Sequence, residues 1–144
     1  MTVLVLARRM DPHVDRVVDE LNRREVAVFR TDLADFPQRL TLDAQLGPRG
    51  WEGTLATKYR EVRLEDIRSV WYRHPTQFEF PEGMSRPERR HAAAEARVGV
   101  SGVLGGLDAL WVNHPAVEPP ERVISGISAF MRKFGLVFGA FDLP

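Results

Sequence analysis

Val70-Trp-Tyr-Arg-His-Pro75 is a short apolar run that ends abruptly in a cation, an imidazole and a proline. Aromatic and β-branched residues suit a pleated, half-buried surface. Proline removes a ladder donor and biases the residue before it toward extended geometry, so a strand is expected to stop here. Arg73 and His74 then stand at the strand's carboxyl end, the edge where open α/β sheets bind their ligands. The pattern returns in Leu110-Trp-Val-Asn-His-Pro115, so Trp-x-x-His-Pro occurs at Trp71 and again at Trp111. Two strands are expected to deliver a His-Pro corner to one rim, with Arg73, His74, Asn113 and His114 as its candidate residues.

Upstream, Thr2 to Ala7 is β-branched and aliphatic without polar alternation, the habit of a strand buried on both faces. Asp11 is a good helix N-cap and Pro12 suits the first helical position. Val14, Val17, Val18 and Leu21 recur at helical spacing opposite a charged face, which predicts an amphipathic helix of about three turns. Val26 to Phe29 is the second strand. Asp32 follows it, where an acidic residue holds a ribose in dinucleotide-binding folds, but Ala7 to Met10 lacks the glycine-rich turn those folds need. Asp32 and Asp35 therefore read as turn formers around Pro37.

From Arg39 to Val62 the pattern becomes alternation around Gly47-Pro48-Arg49-Gly50, which predicts an antiparallel hairpin attached to the parallel sheet. Trp51, Lys58, Tyr59 and Arg60 make an aromatic and basic patch that could serve as a peptide-binding or nucleic-acid surface, but in a neutral chain the preferred reading is a solvated strand face. Thr76 to Met84 is an extended loop at the rim. Ser85-Arg-Pro-Glu88 has capping-box form and opens a long helix whose Gly99, Gly102, Gly105 and Gly106 lower helix propensity and permit close packing. After Pro115, Glu118 to Phe134 reads as a helix with an apolar stripe, and Leu136 to Leu143 as a strand carrying Asp142 near its tip.

The bulk numbers narrow the function. At 144 residues, 44% apolar and 28% charged, the chain has ordinary globular composition. Twenty basic residues balance twenty acidic ones, so no global field draws it to nucleic acid or an anionic membrane. The absence of cysteine excludes disulfides and thiolate chemistry and suits a reducing cytoplasm. The start does not have the form of a signal peptide, and no apolar stretch approaches bilayer-spanning length, so a soluble cytoplasmic protein is expected. His13, His74, His91 and His114 lack metal-ligand spacing, and His13 and His91 fall in helical turns expected to be exposed.

Taken together, the first strand, the hairpin, Ser69-Val-Trp-Tyr-Arg-His-Pro75 and Leu110-Trp-Val-Asn-His-Pro115 resemble the N-terminal pre-ATP-grasp domain of the ATP-grasp peptide maturases, the microviridin-type or graspetide ligases. The resemblance covers about Thr2 to Pro115 and implies a mostly parallel, Rossmann-like α/β sheet with an antiparallel hairpin insertion and flanking helices. Residues 1–115 would form that domain. Residues 116–144 look like a helix and strand of the ATP-grasp catalytic domain, through Phe130-Met-Arg-Lys-Phe-Gly-Leu-Val-Phe-Gly-Ala-Phe-Asp-Leu143. The implied activity is ATP-dependent ligation of side-chain carboxylates to hydroxyls or amines of a ribosomally made precursor peptide, with its leader and core as partner. ATP and magnesium are the implied cofactors, and Asp142 maps onto a magnesium ligand. Relatives carry a long nucleotide-binding portion before the Leu-x-Phe-Gly-Ala segment and a Glu-x-Asn pair after the aspartate, and neither is present here. The chain alone is therefore expected to be inactive and to bind neither ATP nor magnesium tightly. A non-catalytic alternative is a module that holds a peptide or a second copy of itself through the hairpin edge and the apolar stripe of the last helix.

Overall fold

A first strand without polar alternation needs cover on both faces, and the chain supplies it. In a computed structural model describing residues 1–115 and Ala129, Arg132 and Lys133, the elements run β1 (Thr2–Ala7), α1 (Pro12–Arg23), β2 (Ala27–Thr31), β3 (Leu40–Gly47), β4 (Gly50–Thr57), β5 (Glu61–Arg63), β6 (Ile67–Arg73), α2 (Arg86–Gly105) and β7 (Leu110–Val112). Ala129, Arg132 and Lys133 are helical and exposed. The rest of the helix expected from Glu118, the strand expected from Leu136, and Asp142 lie outside the described residues.

The parallel sheet has strand order β2-β1-β6-β7. β1 is central, and Leu4, Val5, Leu6 and Ala7 are each no more than 1% exposed. One face is covered by α1, where Val14 packs with Val5 and Ala7, flanked by Val3, Val18, Val28 and Trp71. The helix begins where expected, because Asp11 Oδ1 accepts the backbone N–H groups of His13 (3.0 Å) and Val14 (3.3 Å). β2 runs two residues past its expected end, with Arg30 and Thr31 paired with Val5 and Leu6.

The opposite face is covered by the insertion and by α2. Leu40, Leu55, Val62, Val100 and Leu104 pack there with Leu4, Leu6, Phe29 and Val70. Burying one such leucine fully contributes roughly 1.5–3 kcal/mol. The insertion differs from the hairpin expected. A third strand, β5, pairs with β4, and β3-β4-β5 forms a sheet of its own laid over the parallel one. Among the described residues no strand ladder joins the two sheets, and apolar burial holds the insertion there. β5 has three residues and buries only Val62, too little for periodicity to reveal.

α2 opens with the capping box, Ser85 N–H donating to Glu88 Oε2 at 2.7 Å while Glu88 N–H donates to Ser85 Oγ at 3.5 Å. Its glycines pack less than their number suggests. A Cβ at Gly99 or Gly102 would meet nothing within 4 Å among the described residues. The close approach comes past the helix end, at Gly106, where a Cβ would lie 2.6 Å from Trp51 Nε1.

Candidate functional site

Arg73 is the last residue of β6 and pairs with Ala7 of β1, so it stands at the carboxyl edge of the parallel sheet. Its half-buried guanidinium lies 5.9 Å from the Trp71 ring centroid, and its Nε faces Asp11 Oδ2 at 3.4 Å. Asp11 thus caps α1 with one oxygen and steadies Arg73 with the other. Burial pushes the Asp11 carboxyl up, but the Val14 and His13 N–H groups and the Arg73 charge outweigh it, leaving the pKa below its ordinary value. The terminal nitrogens of Arg73 make no hydrogen bond among the described residues and remain available for a planar anion.

The next residue, His74, is exposed and has φ 42°. Asn113, directly after β7, is also exposed and has φ 59°. Both neighbouring strands therefore end in a left-handed residue, a conformation that turns the chain sharply and that Asn and His tolerate better than most. Because β6 and β7 are parallel and adjacent, Arg73, His74, Asn113 and His114 belong to one sheet edge.

The two Trp-x-x-His-Pro stretches are nevertheless not equivalent. The register pairs Val70 with Trp111 and Trp71 with Val112, one residue out of step. Trp71 consequently packs on the α1 side and Trp111 on the insertion side. His114 is half-buried against Trp111, with ring centroids 4.3 Å apart, and its Nε2 is 3.8 Å from where a Gly105 Cβ would be. It serves at least as packing at the end of α2, whereas His74 is exposed.

The loop after the rim is fastened rather than merely extended. Asp32, only 3% exposed, accepts from Thr76 N–H and Thr76 Oγ1, each at 2.7 Å, and from Ala34 N–H at 3.3 Å. Further along, Gln38 Nε2 donates to the Glu79 carbonyl at 3.1 Å, Arg39 pairs with Glu79 at 2.9 Å, and the Phe36 and Phe78 rings meet edge-on. Asp32 is thus more than a turn former. Its partner is far away in sequence, so local reading missed it.

A cavity of about 890 Å³ lies between the carboxyl ends of β1 and β2 and the turn joining β4 to β5. Arg9, Arg30, Arg39, Lys58 and Arg60 line it, together with Thr31, Asp32 and Asp35. Asp35 pairs with Arg9 and Arg39; burial raises its pKa, but the hydrogen bonds from Arg39 and Arg9 bring it below the ordinary value. Lys58, Tyr59 and Arg60 are exposed, as expected of a solvated face, and their turn also borders this cavity. The available clue was the basic character of that turn. What it lacked was the position of Arg9, Arg30 and Arg39.

Among the described residues, no group of three His, Asp or Glu side chains is placed to hold a metal ion, and no glycine-rich turn opens either helix. No helix among the described residues is long and apolar enough to cross a membrane.

A parallel sheet with an open carboxyl rim, covered by a helix on one face and a strand insertion on the other, places the chain among α/β domains that bind at strand ends. Residues 2–118 match the family model of the MvdD pre-ATP grasp domain, and the chain belongs to that family. Its fold is shared by solved structures, among them the following. The Chryseobacterium gregarium RiPP-associated ATP-grasp ligase, in complex with ADP and a leader and core peptide, is 23% identical with a TM-score of 0.74 over 96% of this chain and 43% of its own. The macrocyclase MdnC bound with precursor peptide MdnA, from Microcystis aeruginosa MRC, is 21% identical with a TM-score of 0.69 over 97% and 46%. The macrocyclase MdnB from the same organism is 21% identical with a TM-score of 0.71 over 94% and 52%. The chain spans about half the length of these structures. No curated protein matches it.

Proposed function

We propose that this chain is the N-terminal portion of an ATP-dependent carboxylate ligase that installs side-chain ester or amide links in a ribosomally made peptide. In this reading, residues 1–115 form the pre-ATP-grasp domain and residues 116–144 belong to the catalytic portion. The observation that carries it is the family match over residues 2–118, supported by the shared fold with an ATP-grasp ligase holding a leader and core peptide and a macrocyclase holding a precursor peptide.

The chemistry gives the rim its task. A peptide carboxylate takes the terminal phosphoryl group of ATP, releasing ADP. A hydroxyl or amine of the same peptide then attacks the acyl phosphate and releases inorganic phosphate, so each link removes one water from the peptide. Before reaction the carboxylate needs a cation that fixes its plane. Arg73 suits this because a guanidinium binds a carboxylate bidentately, and Asp11 opposite Nε holds the fork while leaving its far side available. His74 and Asn113 would border the same opening, and His114 would brace it from the insertion side. Magnesium and the triphosphate would be handled by the catalytic portion, with Asp142 as a metal ligand there by family resemblance. The intact ligase of which this chain is the N-terminal portion is placed with magnesium-ATP and its precursor peptide, and the peptide mass is followed. Loss of whole waters with stoichiometric ADP release is expected, and an unchanged peptide mass in a folded, ATP-hydrolysing protein would contradict the reading.

A further inference from the structure

We propose that the cavity between β1, β2 and the β4–β5 turn binds a peptide segment carrying several carboxylates, at a place separate from the Arg73 rim. In a chain whose twenty basic and twenty acidic residues cancel, five cations line this one cavity against Asp32 and Asp35. Both carboxylates already have internal partners: Asp35 has Arg9 and Arg39, and Asp32 has Thr76 and Ala34. Arg30 is occupied by Asp15 and by the Arg8 and Arg9 carbonyls. Arg60 gives one N–H to the Arg30 carbonyl at 2.7 Å, and its guanidinium lies 5.1 Å from the Phe29 ring centroid. Lys58 has no carboxylate partner among the described residues and sits 5.6 Å from the Tyr59 ring centroid.

The turn presenting these groups is a built one. Thr57 donates to the Arg60 carbonyl through its N–H at 2.8 Å and its hydroxyl at 3.2 Å, which leaves Tyr59 87% exposed beside Lys58. An independent observation comes from the opposite wall. Thr31 lines the cavity and is 6% exposed, yet its Oγ1 has no hydrogen-bond partner among the described residues. Buried hydroxyls without partners are rare, and one at a cation-rich cavity is a group that a ligand can satisfy.

Several carboxylates fit better than one polyphosphate. Arg9, Arg30 and Arg39 are paired with Asp35, Asp15 and Glu79, so the cations without a carboxylate among the described residues are Lys58 and Arg60, two separate single charges on one turn. Among the described residues, no α-helix N-terminus or glycine-rich turn lines the cavity to supply the backbone N–H cradle that phosphates favour. A volume of about 890 Å³ accommodates several side chains rather than one small ion. In the proposed ligase this would be a docking contact for the peptide, apart from the carboxylate that reacts. It rests on the cavity alone, because Arg73 does not line it.

Calorimetric titration of the chain with acetylated tetraglutamate, at low and high salt, tests this. Tetraglutamate should bind, tetraglutamine should not, and salt should weaken the interaction. The Lys58→Gln, Arg60→Gln double variant should lose affinity by about tenfold or more. Lys58→Gln alone, at an exposed position without a hydrogen bond, should lose part of it and stands in if the double variant misfolds by circular dichroism. Arg49→Gln, which removes an exposed cation that does not line the cavity, should bind as the parent does. No tetraglutamate binding, unchanged affinity in Lys58→Gln, displacement by inorganic pyrophosphate, or an equal loss of binding in Arg49→Gln would each overturn the proposal.

Discussion

At Asp32 a single buried carboxylate joins the end of β2 to the loop that follows Arg73 and His74, through two bonds to Thr76 and one to Ala34. A hydrogen bond to a charged group contributes about 1.5–3 kcal/mol, and leaving its donors unpaired adds to the loss. Asp32→Ala is therefore expected to destabilise the protein by about 2–4 kcal/mol in urea denaturation, and Thr76→Val, which keeps the backbone bond, by about 1 kcal/mol. Parental stability in Asp32→Ala would show the bonds to be incidental. Glu65 carries a pH signature: its own backbone N–H, then Arg63 and the Gly53 N–H, lower its pKa from 4.5 to about 2. A carboxylate depressed in the folded state adds stability above its unfolded pKa, and the contribution is lost as pH falls toward the folded value. Stability should thus fall between about pH 4.5 and 2, and Glu65→Gln should flatten that limb. At this scale the sequence was legible where the signal was adjacent, as in Arg73 before His-Pro or Asp11 before Pro12. It was silent on Asp32, whose partner Thr76 is 44 residues away.

Elements divided along the same line. β1, α1, the end of β6 and the start of α2 could be read because caps, prolines and apolar runs are local. β5 could not, since three residues around one buried valine give no period. Nor did the repeated Trp-x-x-His-Pro reveal its offset pairing, because register belongs to the neighbouring strand as much as to the sequence. Two glycines test the element-level account in opposite directions. Gly53 in β4 has φ 140°, and a Cβ there would lie 2.1 Å from the Asp43 carbonyl oxygen. Gly53→Ala is expected to cost more than about 2 kcal/mol. Gly102 lies exposed in α2 with nothing near its missing Cβ, so Gly102→Ala should stabilise by about 0.5–1 kcal/mol. Paired thermal melts read both, and a destabilised Gly102→Ala would mean that this face of α2 is covered.

For the whole molecule, three layers put the ends of β1, β2, β6 and β7 at one edge, with the Arg73 rim toward one side and the cationic cavity toward the other. The layers follow from which faces are apolar, which is why the fold class and the family resemblance were legible. The cavity was not, because it is assembled from segments distant in sequence whose charges cancel in the total. The central claim is that Arg73 holds a peptide carboxylate for ligation. Its most direct test compares the initial rate of magnesium-ATP-dependent water loss from the precursor peptide between the intact ligase and its Arg73→Ala variant. At least about a tenfold fall is expected in a variant that is still folded by circular dichroism, and parental turnover in the variant would contradict this role.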